Sequence, residues 1–523
     1  MPARMPSLSV LVPVFDEQHL VAASLARLEV LAESPHLERV QVIVVDDSSR
    51  DGTPEALRAF AAERGIALAP PPPHAPRRGT ERPEAVRLGQ GSAGRVEWIF
   101  LRHLRNGGKG TAVQTALQEA ECEIAIIHDA DLEYHPRDIV RIVKVFADEQ
   151  ADAVFGSRFA GGEARRALLY RHEIGNRLLT FLTNLVTNVN LTDMETCYKA
   201  VRTDLLRSIP VVSNDFRMEP ELTIKLAKRE ARIFEVPISY SGRTYQEGKK
   251  IGWRDGVKAL LAILRFWLSD RVYTADEHGS HVLGRISRAP RFNAWMADTI
   301  RPFCGRKVLE IGSGTGNLTR RLVPRDRYVA SDVNPLYLQT LRGLTADRPY
   351  LDVTLTDVAR GDSFPTLPGG FDTVVCLNVI EHVQGDREAL ENIRRVLAPD
   401  GNAIVLVPNG PRLFGTLDEV LGHRRRYTEG SLRAVAEAAG FEVARILRFN
   451  RIGTPAWWLN GKLLRRRTFG LVQIALLNLL TPLFRLVDRA LPFPPLSLIA
   501  ILRPAGSVAT TRPDPARAAS ARH

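Results

Sequence analysis

Short apolar runs that close on acidic or glycine-rich residues recur along the chain, and helical periodicities fill the intervals between them. Residues 9–15 and 40–46 are apolar and end in acidic residues, as buried parallel strands do. A helical pattern follows each, so the chain opens as strand, helix, strand. Strand-like runs resume at 96–100, 124–128 and 153–155. A second series starts at 308–311 and continues through 328–331, 353–356, 373–377 and 403–407, five segments of an expected six or seven strands. Strands alternating with helices predict doubly wound α/β sheets, and two separate series predict two domains in tandem.

The breaks in this pattern set the boundaries. Pro70-Pro71-Pro72-Pro73 and a Gly/Arg/Pro-rich stretch to Arg95 mark a disordered loop insertion over 66–95. A helix over Val257 to Leu268 closes the first series, giving a domain of residues 1–272. Residues 273–287 have the composition of a linker, 288–504 form the second domain, and an Ala/Arg/Pro-rich tail at 505–523 is expected to be disordered. A chain of 523 residues is too long for one ordinary core.

Composition narrows the class. Apolar residues at 45% and charged residues at 25% are those of a globular protein. Cys122, Cys197, Cys304 and Cys376 lie far apart without a CxxC pair, which excludes a disulfide framework or cysteine zinc site and predicts a reduced cytoplasmic protein. Strand-like Ser9 to Val12 begins almost at once without a cleavage site, so no signal peptide is expected. The net charge of +12 is compatible with an anionic lipid surface. Without interleaved aromatic and basic residues or a zinc finger, nucleic acid is not the expected partner. The apolar runs Leu178 to Leu191 and Leu471 to Phe484 fall short of the roughly 20 residues needed to span a bilayer. The second follows Arg465-Arg466-Arg467 and ends at Arg485. It suits a helix lying on the inner face of the membrane, or equally a buried helix.

The strand ends carry the candidate chemistry. Ligands of open α/β sheets collect at the carboxyl ends of strands. Pro13-Val14-Phe15-Asp16-Glu17 and Asp46-Asp47-Ser48-Ser49 therefore share one crevice, suited to the base and ribose of a nucleotide. Asp129-Ala130-Asp131 with Glu133 ends a third strand, where Mg²⁺ or Mn²⁺ would hold a diphosphate. Asn106-Gly107-Gly108-Lys109-Gly110 enters a helix as a phosphate-adjacent loop. In this order the first 270 residues resemble family 2 glycosyltransferases of the GT-A fold, within the dolichyl- or polyprenyl-phosphate sugar transferase branch. The resemblance implies an inverting transfer from a nucleotide-sugar. It places Pro13, Phe15, Glu17 and Asp46 at the nucleotide, and Asp129, Asp131 and Glu133 at metal and diphosphate, although the family often has Gln at Glu133. It sets Arg158 of Gly156-Ser157-Arg158 facing the sugar-phosphate and Arg243 with Lys249 meeting phosphate. A hydroxyl acceptor would need a carboxylate base, for which Asp193, Glu219 and Glu221 are candidates beside structural pairing with Lys199 or Arg202. The C-terminal membrane helices of many relatives are absent, so a lipid substrate would be met at the membrane surface.

Glu310-Ile311-Gly312-Ser313-Gly314-Thr315-Gly316 runs from a strand into a glycine turn, where a backbone without Cβ atoms approaches a ligand. Asp332, 20 positions after Gly312, ends the next strand and suits ribose hydroxyls; Asp357 is placed for an adenine amino group. With Asn378 to Val383 and Val396 to Gly401, these residues resemble class I S-adenosylmethionine methyltransferases over about 285–450. Glu310, Gly312, Gly314, Gly316, Asp332, Asp357 and Asn378 are the implied cofactor set. His382 is a candidate base or a positioning residue, and His423 to Tyr427 either flanks the acceptor or is a solvated basic loop.

The fold expected is α/β, two tandem Rossmann-like domains, GT-A followed by class I methyltransferase. The function expected is bifunctional: metal-dependent sugar transfer to a polyprenyl phosphate or glycan, and methylation of a small-molecule, glycan or lipid acceptor. The alternative is one catalytic domain joined to a binding or scaffolding module. An NAD oxidoreductase ranks third, for want of a catalytic Tyr/Lys or Cys/His set.

Overall fold

A computed structural model of the chain describes residues 5–72, 83–149, 151–162, 166, 170–242, 253–269, 289–345, 348–466 and 471–506. The chain divides into two compact units, Met1–Thr274 and Ala275–His523.

The N-terminal unit is built on eight strands: β1 (Leu8–Val14), β2 (Val40–Asp46), β3 (Ala85–Ala93), β4 (Val96–His103), β5 (Ile124–Ile127), β6 (Ala153–Ser157), β7 (Lys199–Arg202) and β8 (Ile233–Pro237). Their order is β3-β4-β2-β1-β5-β7-β6-β8. β4, β2, β1 and β5 are mutually parallel, whereas β3 and β7 run antiparallel to their neighbours. Every residue of β2 is buried, and β1 is buried but for Pro13, which explains why both are apolar save for Ser9, Gln41 and Asp46. Part of the insertion expected to be disordered over 66–95 is ordered. Residues 85–93 form the edge strand β3, because the extended backbone of β4 offers it a ladder over its whole length. Residues 73–82 lie outside the described residues.

The C-terminal unit carries seven strands: β9 (Lys307–Ile311), β10 (Arg327–Asp332), β11 (Leu351–Leu355), β12 (Phe371–Leu377), β13 (Leu397–Pro408), β14 (Phe441–Phe449) and β15 (Ser497–Pro504). The order is β11-β10-β9-β12-β13-β15-β14, parallel except that β15 is antiparallel to both β13 and β14. Two apolar clusters, around Val374 and Val405 and around Val308 and Ile404, cover the two faces of this sheet. Both units are α/β, with mixed sheets in place of wholly parallel ones.

Both apolar runs form amphipathic helices. In Tyr170–Thr187, Ile174, Leu178, Phe181 and Leu185 are exposed at helical spacing. The neighbouring helix Trp253–Leu268 buries Ala262, Ile263 and Phe266 while exposing Val257, Leu261, Leu264 and Leu268. In the other unit, Leu471–Val487 buries Ile474 and exposes Leu476, Leu479, Leu483 and Leu486. It is therefore not the fully buried helix that was one of its two expected forms. Among the described residues no helix is long and apolar enough to cross a membrane.

Candidate functional sites

In the N-terminal unit the turns leaving β1, β2 and β5 each pass through a left-handed residue that is not glycine. These are Asp16 (φ 51°), Ser48 (φ 62°) and Leu132 (φ 64°). Such strained turns cluster at functional sites, and these three leave adjacent parallel strands at the same edge. Pro13, Phe15 and Glu17 lie half-buried at the first of them. Asp47 accepts hydrogen bonds from Gly107 N at 2.8 Å and Gly108 N at 2.7 Å, with His103 Nδ1 2.6 Å away. That carboxylate fixes the glycine loop ahead of Lys109. Gly108 (φ 85°) presses against the Asn214 carbonyl, leaving no room for a Cβ.

Lys109 links two parts of the crevice. Its Nζ lies 2.8 Å from Asp129 Oδ2 and 3.1 Å from Glu219 Oε1, and Lys199 Nζ lies 2.6 Å from Glu219 Oε2. Burial opposes the charge of Lys109, but Asp129 and Glu219 outweigh it and raise its pKa well above the usual lysine value. On the opposite flank Arg158 meets Asp193 with Nε and Nη2 at 2.6 and 2.8 Å from its two oxygens. Burial pushes the Asp193 carboxyl up, and Arg158 more than offsets this, so its pKa is lowered.

In the C-terminal unit the turn after β9 carries Gly312, Gly314 and Gly316, all at positive φ. Gly314 N donates to Asp332 Oδ2 at 2.8 Å, so the acid closing β10 sits against the glycine turn. Asp357 is half-buried beyond β11, and Asn378 (φ 55°) is exposed in the turn after β12. These groups gather at the carboxyl ends of β9 to β12. Glycines with positive φ beside a strand-end carboxylate form a cradle that fits a nucleoside.

Two family models match the chain in separate places, "Glycosyl transferase family 2" over residues 9–70 and 93–209 and "Methyltransferase domain" over 309–403. The chain joins a family 2 glycosyltransferase domain to a methyltransferase domain. An undecaprenyl-phosphate mannosyltransferase of Micrococcus luteus is 27% identical over 269 residues, 50% of this chain and 94% of that protein. A dodecaprenyl-phosphate galacturonate synthase of Rhizobium johnstonii is 23% identical over 249 residues, 47% of this chain and 63% of that one. Among solved structures, glucosyl-3-phosphoglycerate synthase from Mycobacterium tuberculosis aligns at 17% identity and a TM-score of 0.35, covering 52% of this chain and 83% of that one.

Within the glycosyltransferase domain several expected ligands are turned inward. Asp46 is fully buried, paired with Arg102 and accepting from Ser49 N at 2.9 Å, so it braces the β2 turn. Ala130 is buried and offers only backbone. Glu221 is fully buried, accepting from Val212 N and Ser213 N at 2.9 and 2.7 Å and pairing with Lys225 at 2.5 Å. With both oxygens so engaged it anchors the loop ahead of the helix. Asp193 and Glu219 pair with cations as well, although Asp193 takes Arg158 and neither Lys199 nor Arg202. Asp129, Asp131 and Glu133 do not converge as a three-carboxylate metal set among the described residues. Lys109 holds Asp129, Asp131 Oδ1 accepts from Glu133 N at 3.1 Å, and Glu133 accepts from Tyr240 Oη at 2.8 Å. Mg²⁺ characteristically takes one or two carboxylates and completes its shell with substrate phosphates, a requirement that Asp131 with Asp129 fits. Arg243 and Lys249 lie outside the described residues.

In the methyltransferase domain Glu310 is buried, accepting from Thr319 Oγ1 at 2.5 Å and Tyr328 Oη at 2.8 Å; burial raises its pKa. These bonds tie the strand to the following helix and to Tyr328 on β10. Arg426 and Tyr427 are buried, so His423 to Tyr427 is not a solvated basic loop.

Two carboxyls escaped the sequence reading. Glu195 is half-buried, Oε1 lacks a hydrogen-bond partner, and burial pushes its pKa up to about 7 against the pull of Lys199. Glu381 is fully buried with neither oxygen hydrogen-bonded, and burial pushes it to about 8. Glu195 lies two residues after Asp193 and Glu381 within the Asn378 to Val383 segment, but only the fold shows which of their oxygens lack partners.

Proposed function

We propose that the glycosyltransferase domain moves a sugar from a nucleotide-sugar to the phosphate of a polyprenyl carrier, and that the methyltransferase domain methylates a glycan, lipid or small molecule with S-adenosylmethionine. One observation carries the first part: Asp193, Glu219 and Glu221, the candidate bases, are all held in ion pairs. A hydroxyl acceptor needs a base, whereas a phosphate is already an anion at neutral pH. The printed activities of the Micrococcus and Rhizobium relatives support this acceptor.

The phosphate oxygen attacks the anomeric carbon as the carbon–oxygen bond to the diphosphate breaks. Mg²⁺ or Mn²⁺ held by Asp131 and Asp129 would offset charge on the departing nucleotide. Lys109 adds a fixed cation beside Asp129, and Phe15 and Glu17 line the nucleotide side of the crevice. In the other domain Gly312, Gly314 and Gly316 would cradle the methionine part of the donor, with Asp332 at the ribose and Asp357 at the adenine. Methyl transfer from a sulfonium then rests mainly on alignment of donor and acceptor. The exposed apolar faces of Tyr170–Thr187 and Trp253–Leu268 suit contact with the lipid surface where the carrier resides.

A glycan hydroxyl is the second reading, favoured by Glu195, whose pKa of about 7 is that of an effective base. The test is turnover with a panel of nucleotide-sugars, Mg²⁺ or Mn²⁺ and a short polyprenyl phosphate, with Asp131→Ala as control. Lipid-linked sugar from the wild type and none from the variant is the expected result. Donor binding without lipid product, and loss of transfer to glycan in Glu195→Gln, would overturn the phosphate acceptor.

A further inference from the structure

The methyltransferase domain contains a cluster that binding of the methyl donor does not use. After β12 the chain presents Glu381 and His382, and the turn Gly422–Arg426 is pinned against them. Arg424 N donates to the Glu381 carbonyl at 2.9 Å, Arg424 Nε to the His382 carbonyl at 2.8 Å, and Arg425 Nη2 to the Gln384 carbonyl at 2.8 Å. This clamp brings His423 Nε2 to 3.9 Å from Glu381 Oε1. The rings of His382 and His423 stand edge to face with centroids 4.9 Å apart. One ligand atom from each of the three residues lies within 4.8 Å of the others, the sole such convergence of His, Cys, Asp or Glu among the described residues.

We propose that Glu381, His382 and His423 form a binding site for a divalent transition-metal cation, on the acceptor side of the methyltransferase crevice. The buried Glu381 carboxyl group, with no hydrogen bond to either oxygen, is the decisive feature. Leaving a buried polar group unpaired is costly, and a bound cation removes that cost. The second shell has the form of a metal site. His423 Nδ1 lies 2.9 Å from Asp418 Oδ1, which fixes the ring and leaves Nε2 toward Glu381. Asp418 is itself held by Arg426 Nε at 2.8 Å and Trp457 Nε1 at 3.2 Å. The flanking arginines are neutralised, Arg426 by Asp418 and Arg425 by Asp386 at 2.8 Å. Two imidazoles and one carboxylate favour Zn²⁺, Fe²⁺, Co²⁺ or Mn²⁺ over Ca²⁺. Ligand atoms about 2.1 Å from a metal stand roughly 3–3.5 Å apart, so the set closes by about an ångström on binding.

Three protein ligands leave coordination positions open. An acceptor hydroxyl bound there becomes more acidic, so the site selects oxygen acceptors able to ligate a cation. That part rests on the methyltransferase reading of the crevice, whereas the cation site itself does not.

The experiment uses the full chain, stripped with a chelator and titrated with Co²⁺, whose visible absorption reports ligation. S-adenosylmethionine binding is measured in parallel by calorimetry. One equivalent of Co²⁺ is expected to give a ligand-field spectrum that persists in Asp131→Ala. His423→Ala should weaken it by 10-fold or more while donor affinity is kept. Glu381→Gln provides a second variant whose far-ultraviolet dichroism checks folding. Donor binding with no Co²⁺ spectrum, or a spectrum unchanged in His423→Ala, overturns the cation site and leaves the methyltransferase reading standing. A His423-dependent spectrum without donor binding supports the site and removes the methyltransferase reading.

Discussion

Arg158 and Asp193 are joined by a fork of two hydrogen bonds, 2.6 and 2.8 Å, with the Asp193 side chain fully withdrawn from solvent. A third contact, from Arg158 N at 3.1 Å, holds the same carboxylate. The pair therefore orients the arginine expected at the sugar-phosphate, and the aspartate is its support. Removing one partner of a buried ion pair leaves the other charge without compensation, at about 3–5 kcal/mol. Asp193→Asn should accordingly destabilise the glycosyltransferase domain by about 3 kcal/mol in urea unfolding and lose transfer along with the orientation of Arg158. Unchanged stability with transfer abolished would return Asp193 to the role of base.

The contrast between Asp46 and Asp131 shows what the sequence made legible. Both close apolar strands, and both were expected to face a ligand. The strand ends, their shared crevice and the glycine turn followed from pattern alone, because burial on both faces of a sheet leaves an unbroken apolar run. Whether a strand-end carboxylate projects or folds back depends on partners brought from elsewhere in the chain. For Asp46 that partner is Arg102, which lies 56 positions away. The antiparallel strands β3, β7 and β15 were missed because they depart from the strand–helix alternation that the pattern was read by. In β3, moreover, only Leu88 is buried.

Glu195 predicts a specific pH dependence. Its pKa is raised in the fold from the ordinary 4.5 to about 7. Between these values the folded state keeps a proton that the unfolded chain has released, so stability falls as pH rises through this window. The contribution is fully present below about 4.5 and lost by about 7, at most about 3 kcal/mol. Glu195→Gln should flatten this slope and gain on the wild type at pH 8 relative to pH 5, as read by urea unfolding of the glycosyltransferase domain. Parallel profiles for the two proteins would show that Glu195 titrates normally.

Gly312 is held at φ 72°, and a Cβ there would collide with Val379 Cγ2. Gly312→Ala thus strains the turn in two ways, at about 1–3 kcal/mol. Because the strain falls on the cradle of the methyl donor, donor affinity should drop at least 10-fold by calorimetry while sugar transfer by the other domain is unchanged. Equal donor affinity in the variant would show that the turn is not the cofactor's seat.

The last prediction concerns the exposed face of Tyr170–Thr187. Leu178, Phe181 and Leu185 are 55%, 60% and 69% exposed, so polar replacements there remove little packing. If the face lies on a bilayer, each side chain contributes roughly 1–2 kcal/mol of apolar burial. The triple substitution Leu178→Ser, Phe181→Ser and Leu185→Ser should then weaken co-sedimentation with anionic vesicles at least 100-fold. Transfer to a water-soluble short-chain acceptor should persist, since the substituted side chains are exposed and hold no part of the buried ion-pair network around Lys109. Added salt should reduce vesicle binding only in part, because an apolar contribution is not screened as a charged one is. Vesicle binding that is equal in the two proteins would exclude this helix as the membrane contact.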